Sequence, residues 1–130
     1  MTGAMNLLLD SFALIEFFKG TEKGRVIKDM IESADKILIS VLCIYETHYV
    51  IEGKCSKADA DKYIESLEAV YDIRDIDQSM VMKALELRRK FRLPTVDCLI
   101  YATARLNNAS VVSGCPHFKK IDGEKDVIVV

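Results

Sequence analysis

Short apolar runs that end on a polar side chain set the strongest limit on how this chain can fold. N-L-L-L-D (Asn6 to Asp10) is continuous and apolar, as expected of a strand covered on both faces. Ile37 to Ser40, Ala109 to Ser113 and Val127 to Val130 read the same way, and Val70 to Ile73 is a weaker strand. Between them, apolar residues return at helical spacing. Ser11 to Phe18 opens one helix, Val26, Ile27, Met30 and Ile31 share a face of another, and Val41 to Glu52 forms a third that ends at Gly53. Ser56 is an N-cap for a helix running to about Ala69, and Met80, Ala84, Leu87 and Phe91 make one more stripe. Gly20 and Gly24 bracket a turn, Leu93-Pro94 stops a helix, and Thr95 caps the next, where Val96, Leu99, Ile100 and Thr103 share a face. Strands alternating with helices require crossover connections. The expected fold is therefore α/β, a mainly parallel central sheet with helices on both faces, and ligands in such folds gather at the carboxyl ends of the strands. No linker, repeat or composition break divides residues 1–130, which read as a single domain.

Composition narrows the function classes. Half of the 130 residues are hydrophobic and only 2 are proline, which argues for a packed core and against disorder. With 18 basic and 20 acidic side chains, the chain has no global basic field to hold nucleic acid. A nucleic-acid enzyme of this composition needs metal ions to supply positive charge locally. The 4 cysteines are scattered without a C-x-x-C pair and read as reduced thiols of a cytosolic protein. The longest apolar run, near Ile37 to Tyr45, falls far short of the ~20 residues that span a bilayer. The opening M-T-G-A-M-N lacks the positive charge of a signal peptide, so a cytoplasmic protein without a membrane partner is expected.

Acidic side chains stand where solvated charges are not expected. Asp10 ends the first apolar strand, Glu46 lies inside the least polar helix, and Asp97 sits one turn into the apolar P-T-V-D-C-L-I-Y-A-T-A segment. An unpaired buried carboxylate is costly, so each wants a cation, a hydrogen-bond set or a shared metal. Asp10 can instead cap the following helix, and Asp97 can serve as a favourable charge at a helix N-terminus. Glu46 resists such an account, and one hard divalent cation, Mg²⁺ or Mn²⁺, explains all of them at once.

The same residues carry a resemblance. L-L-L-D-S-F-A-L-I-E resembles the opening strand and helix of a PIN domain, S-V-L-C-I-Y-E places Glu46 at that family's glutamate, and P-T-V-D-C-L-I-Y-A-T-A resembles its aspartate helix. V-V-S-G-C-P-H-F followed by K-K-I-D-G is similar to its last motif. The resemblance covers essentially the whole chain in order, and at this length it is nearest the VapC-type toxins of toxin–antitoxin pairs. It implies a PIN-like three-layer sandwich and a Mg²⁺- or Mn²⁺-dependent endoribonuclease that acts on an RNA substrate with a metal-activated water. It also implies a homodimer held inactive by an antitoxin protein. Asp10, Glu46 and Asp97 would hold the metal and carry catalysis. Ser11 and Ser113 lie next to motif positions, as contacts to those acids or to phosphate, although Ser11 serves equally as a helix cap.

One position departs from that pattern. The family's last motif puts a fourth aspartate at position 115, and this chain has Cys115. A thiol is mostly protonated at neutral pH and is a poor partner for Mg²⁺. The expectations that follow are an enzyme working with its remaining acids, with Asp122 or water filling in, or an attenuated or degenerate domain kept for binding antitoxin or RNA. A further one is a softer ion such as Zn²⁺ selected by Cys115, His117 and nearby acids. His117 otherwise reads as turn structure. His48 falls about 200° round the helix from Glu46, too far to share its ion. Arg88, Arg89, Lys90 and Arg92 either guide RNA or form a solvated helix end. A receiver-like signalling domain lacks its acceptor site here. A cysteine-nucleophile phosphatase lacks its glycine-rich loop, and Pro116 removes a backbone donor at that point.

Overall fold

The structure, a computed structural model, describes residues 5–130. Its elements run β1 (Asn6–Leu9), α1 (Ser11–Lys19), α2 (Glu22–Ser33), β2 (Lys36–Ser40), α3 (Val41–Lys54), α4 (Lys57–Val70) and β3 (Asp72–Arg74). They continue with α5 (Gln78–Phe91), α6 (Thr95–Leu106), β4 (Ala109–Ser113), α7 (Pro116–Lys119) and β5 (Val127–Val129). The strands form one parallel sheet in the order β3-β2-β1-β4-β5. With the right-handed connections that parallel crossovers take, this strand order puts α1 to α4 on one face and α5 and α6 on the other, giving the expected α/β sandwich. Leu7, Leu8, Leu9, Leu38, Ile39, Val111 and Val112 are buried between those layers, each contributing about 1.5–3 kcal/mol by leaving water. Among the described residues no helix is long and apolar enough to cross a membrane.

Local chemistry fixes the helix ends. Ser40 caps α3 by accepting the Leu42 N–H at 3.2 Å, and Ser56 caps α4 by accepting the Asp59 N–H at 3.0 Å. Gly20 ends α1 at φ 64°, the left-handed conformation that glycine adopts most readily. Gly24, by contrast, is not a turn residue. Thr21 caps α2 by accepting the Gly24 N–H at 3.0 Å, while its hydroxyl donates to Glu16 Oε1 at 2.9 Å. Gly24 therefore sits in the first turn of that helix, at its crossing with α1. A Cβ there would lie 2.2 Å from the Glu16 carbonyl oxygen and 2.8 Å from its carbon.

Gly24→Ala is accordingly expected to lower stability. The helix-propensity gain is about 1 kcal/mol, whereas forcing a backbone contact apart costs about 1–3 kcal/mol. Urea denaturation should show a lower midpoint. An unchanged or higher midpoint would mean that α1 and α2 separate freely, against the close crossing described.

Other boundaries shift for identifiable reasons. Helix α3 runs on through Gly53 to Lys54, where the Cys55 N–H closes on the Ile51 carbonyl at 2.8 Å. Val70 completes α4 and Tyr71 caps it through its N–H to the Leu67 carbonyl, so β3 starts at Asp72. Pro94, not Thr95, occupies the N-cap of α6, and the Thr95 hydroxyl instead accepts from Arg88 Nη1 at 3.2 Å. The short helix α7 has no counterpart among the elements expected from the sequence.

Candidate active site

The sheet order reverses at β1, which has β2 on one side and β4 on the other. That is the switch point where the crossovers diverge and leave a crevice. Because Leu9 pairs with Val112, the chain leaves β1 and β4 side by side, bringing Asp10 next to Ser113. Asp10 is only 4% exposed and caps α1 by accepting the Ala13 N–H at 3.0 Å. Both expectations for Asp10, cap and site carboxylate, are thus compatible in one residue.

Burial pushes the Asp10 carboxyl up from 3.8 to about 7. The Ser113 hydroxyl and the Ala13 N–H soften that rise, while the charges of Asp97 and Glu46 add to it. Among the described residues no basic side chain forms an ion pair with it. Glu46, half-buried in the second turn of α3, and Asp97, in the first turn of α6, therefore bring their charge to the same crevice. Burial also raises the Asp97 pKa, and His117 partly offsets this, its Nδ1 lying 2.9 Å from Asp97 Oδ2. Beneath the acids, burial and the charges of Asp10 and Glu46 hold Cys43 well above the usual thiol range, so it stays a neutral packing residue.

The turn after β4 is built around Ser113. Its buried hydroxyl accepts the Cys115 N–H at 3.0 Å and bonds the Asp10 side chain, tying that turn to the first acid. Gly114 is needed because Phe12 lies over it: a Cβ at that position would fall 2.3 Å from a Phe12 ring carbon. Cys115 then caps α7, with Pro116 at the first helical position, and this single turn swings His117 back toward α6. Ligand atoms of Asp97, Cys115 and His117 all lie within 4.8 Å of one another, the one such trio among the described residues. Asp10 and Glu46 stand outside this tight trio, along the same edge.

His117 is thus a site neighbour and not simply a turn residue. The available signal is Pro116, a common first residue of a helix, which points to a turn of helix and a reversal of His117. Ser11 opens α1 at the same edge, half-buried. Asp122 is exposed in the turn beyond α7 and does not join the trio. His48 faces elsewhere and pairs with Asp61 at 2.8 Å and Glu52 at 3.3 Å. Arg88, Arg89, Lys90 and Arg92 are exposed at the C-terminal end of α5, where cations suit the helix dipole.

The carboxylates of Asp10, Glu46 and Asp97 fit a hard divalent cation by donor type and by charge. Asp10 is a buried acid held near neutrality by its surroundings, a state that an added cation relieves. Cys115 does not fit that ion, since it presents sulfur where the other donors present oxygen.

Comparison with known proteins agrees with this fold. The sequence model of the PIN domain matches residues 7–124. No curated protein matches the chain. Among solved structures, a toxin–antitoxin complex from Klebsiella pneumoniae superposes with a TM-score of 0.77 at 22% identity, covering 95% of this chain and 96% of that one. VapBC2 from Rickettsia felis, bound to a DNA fragment from its promoter, gives 0.72 at 17% identity over 97% and 98% of the two chains. A Mycobacterium tuberculosis VapC toxin that cleaves the sarcin–ricin loop gives 0.65 at 15% identity over 81% and 86%. With the sheet order and the sequence model in agreement, the chain belongs to the PIN domain family.

Proposed function

We propose that this protein is a metal-dependent endoribonuclease, the toxin of a VapBC-type pair, acting in the cytoplasm on RNA phosphodiesters. The observation that carries the reading is Asp10: a buried carboxylate at the switch point, facing Glu46 and Asp97 without a basic partner among the described residues. These acids would hold Mg²⁺ or Mn²⁺. Bound there, such an ion supplies a Lewis acid for the phosphate and lowers the pKa of a coordinated water. Ser113 orients Asp10 through its hydroxyl, and His117 orients Asp97. The Ser11 hydroxyl, at the mouth of the crevice, would meet a phosphate oxygen. The neighbours described as toxin–antitoxin complexes support an antitoxin partner. Exposed Val81, Met82, Leu85 and Val96 on α5 and α6 support a homodimer, because an apolar face of this kind favours protein contact.

Cys115 favours a second reading, a degenerate PIN domain that binds antitoxin or RNA without cleaving. Cleavage of single-stranded RNA by the wild type and Cys115→Asp, in Mn²⁺ and in chelator, separates the two. The nuclease reading expects wild-type cleavage that chelator abolishes, with Mn²⁺ affinity rising about tenfold in Cys115→Asp, or ~1.4 kcal/mol. An inert wild type and an active Cys115→Asp would establish the degenerate reading instead.

A further inference from the structure

We infer that Asp97, Cys115 and His117 form a second cation site, selective for a borderline divalent ion of the Zn²⁺ class, at the edge of the carboxylate centre. The inference does not rest on the nuclease reading, because it needs only these side chains and the backbone that carries them. Their ligand atoms lie within 4.8 Å of one another, and the His117 and Asp97 pair has already closed to 2.9 Å. Around a tetrahedral ion with Zn–S near 2.3 Å and Zn–N and Zn–O near 2.0–2.2 Å, neighbouring ligand atoms stand roughly 3.3–3.6 Å apart. The trio therefore closes on one ion by small rotamer adjustments.

The donor set decides which ion. Sulfur, imidazole nitrogen and one carboxylate suit Zn²⁺ or Co²⁺, whereas Mg²⁺ asks for oxygen donors in an octahedron. Three protein ligands leave a fourth position open to water. The scaffold is also in place. Cys115 is fixed by its N–H to the Ser113 hydroxyl and by its carbonyl to the Lys119 N–H at 3.2 Å. Asp97 is held in the first turn of α6. The His117 side chain is 48% exposed and that of Asp97 18%, so an ion reaches the site from solvent without opening the core. Asp97 is common to both centres, which makes occupancy by the two kinds of ion antagonistic.

Titration of metal-free protein with Co²⁺ alone tests this, since thiolate ligation gives a charge-transfer band in the near ultraviolet. One equivalent is expected to bind with that band, and Zn²⁺ is expected to displace it. Cys115→Ser should abolish the band. His117→Ala, at an exposed position that leaves the core intact, should weaken binding by more than the ~100-fold that losing an outer partner costs. Cys55→Ser, at an exposed thiol outside the trio, should leave both unchanged. Absence of the band in folded wild type overturns the inference, as does a band that survives Cys115→Ser and vanishes in Cys55→Ser. RNA cleavage in Mn²⁺ is scored separately: a wild type that shows the band but cuts no RNA removes the nuclease reading and leaves this site standing.

Discussion

Replacing Asp97 with asparagine is expected to lower Mn²⁺-dependent RNA cleavage by at least ~10²–10³-fold, the scale on which losing one electrostatic contributor to a reacting phosphate is felt. The change is nearly isosteric. The new amide keeps an oxygen that His117 can meet, and the substitution removes one of the charges that raise the Asp10 pKa. Against this stands the loss of an acid from the first turn of α6, worth about 0.3–1 kcal/mol. The two effects on stability nearly cancel, so the variant should unfold close to the wild-type midpoint while its activity collapses. A folded Asp97→Asn that cleaves RNA at the wild-type rate would remove Asp97 from the chemistry and with it the proposed function.

The separation of fold from activity at Asp97 reflects which features are legible in a sequence. The uninterrupted L-L-L and V-V runs are buried on both faces, so their parallel pairing follows from patterning alone. The acids can be found because each breaks an apolar run that would otherwise be continuous. What cannot be read is direction. Gly24 looks like punctuation because sequence shows a missing Cβ but not the helix that needs the room; only the α1–α2 crossing explains it. Val70 reads equally as the end of a helix or the start of a strand, and the Tyr71 N–H bond to Leu67 decides for the helix. His117 misleads for a similar reason: one turn of helix after Pro116 reverses a side chain that an irregular turn would leave outside. Ser113 stands out in the sequence only for its neighbours. Its use, however, is to join Asp10 to the Cys115 turn, a link between β1 and β4 that depends on their register.

The stability of metal-free protein should fall as pH rises from about 4 to about 7, and Asp10 is the group responsible. Its carboxyl has an ordinary value of 3.8 and a folded value of about 7. In that window the folded protein keeps a proton that the unfolded chain has released, so the folded state binds more protons and raising the pH favours unfolding. Above the folded value the loss is complete and the curve flattens. About three units at ~1.4 kcal/mol each set a ceiling near 4 kcal/mol. Asp10→Asn cannot ionise, yet its amide oxygen can still accept the Ala13 N–H as an N-cap. The variant should therefore match the wild type at about pH 4 and below and exceed it by up to ~4 kcal/mol near pH 8, as read by urea denaturation at both pH values. Mn²⁺ should stabilise the wild type more at the higher pH, where the ionised Asp10 is ready to bind it, and should do little for Asp10→Asn at either. A wild-type minus variant difference that stays constant with pH would mean that Asp10 ionises as freely in the folded protein as in water. The crevice would then lack the buried charge that makes a cation its natural occupant.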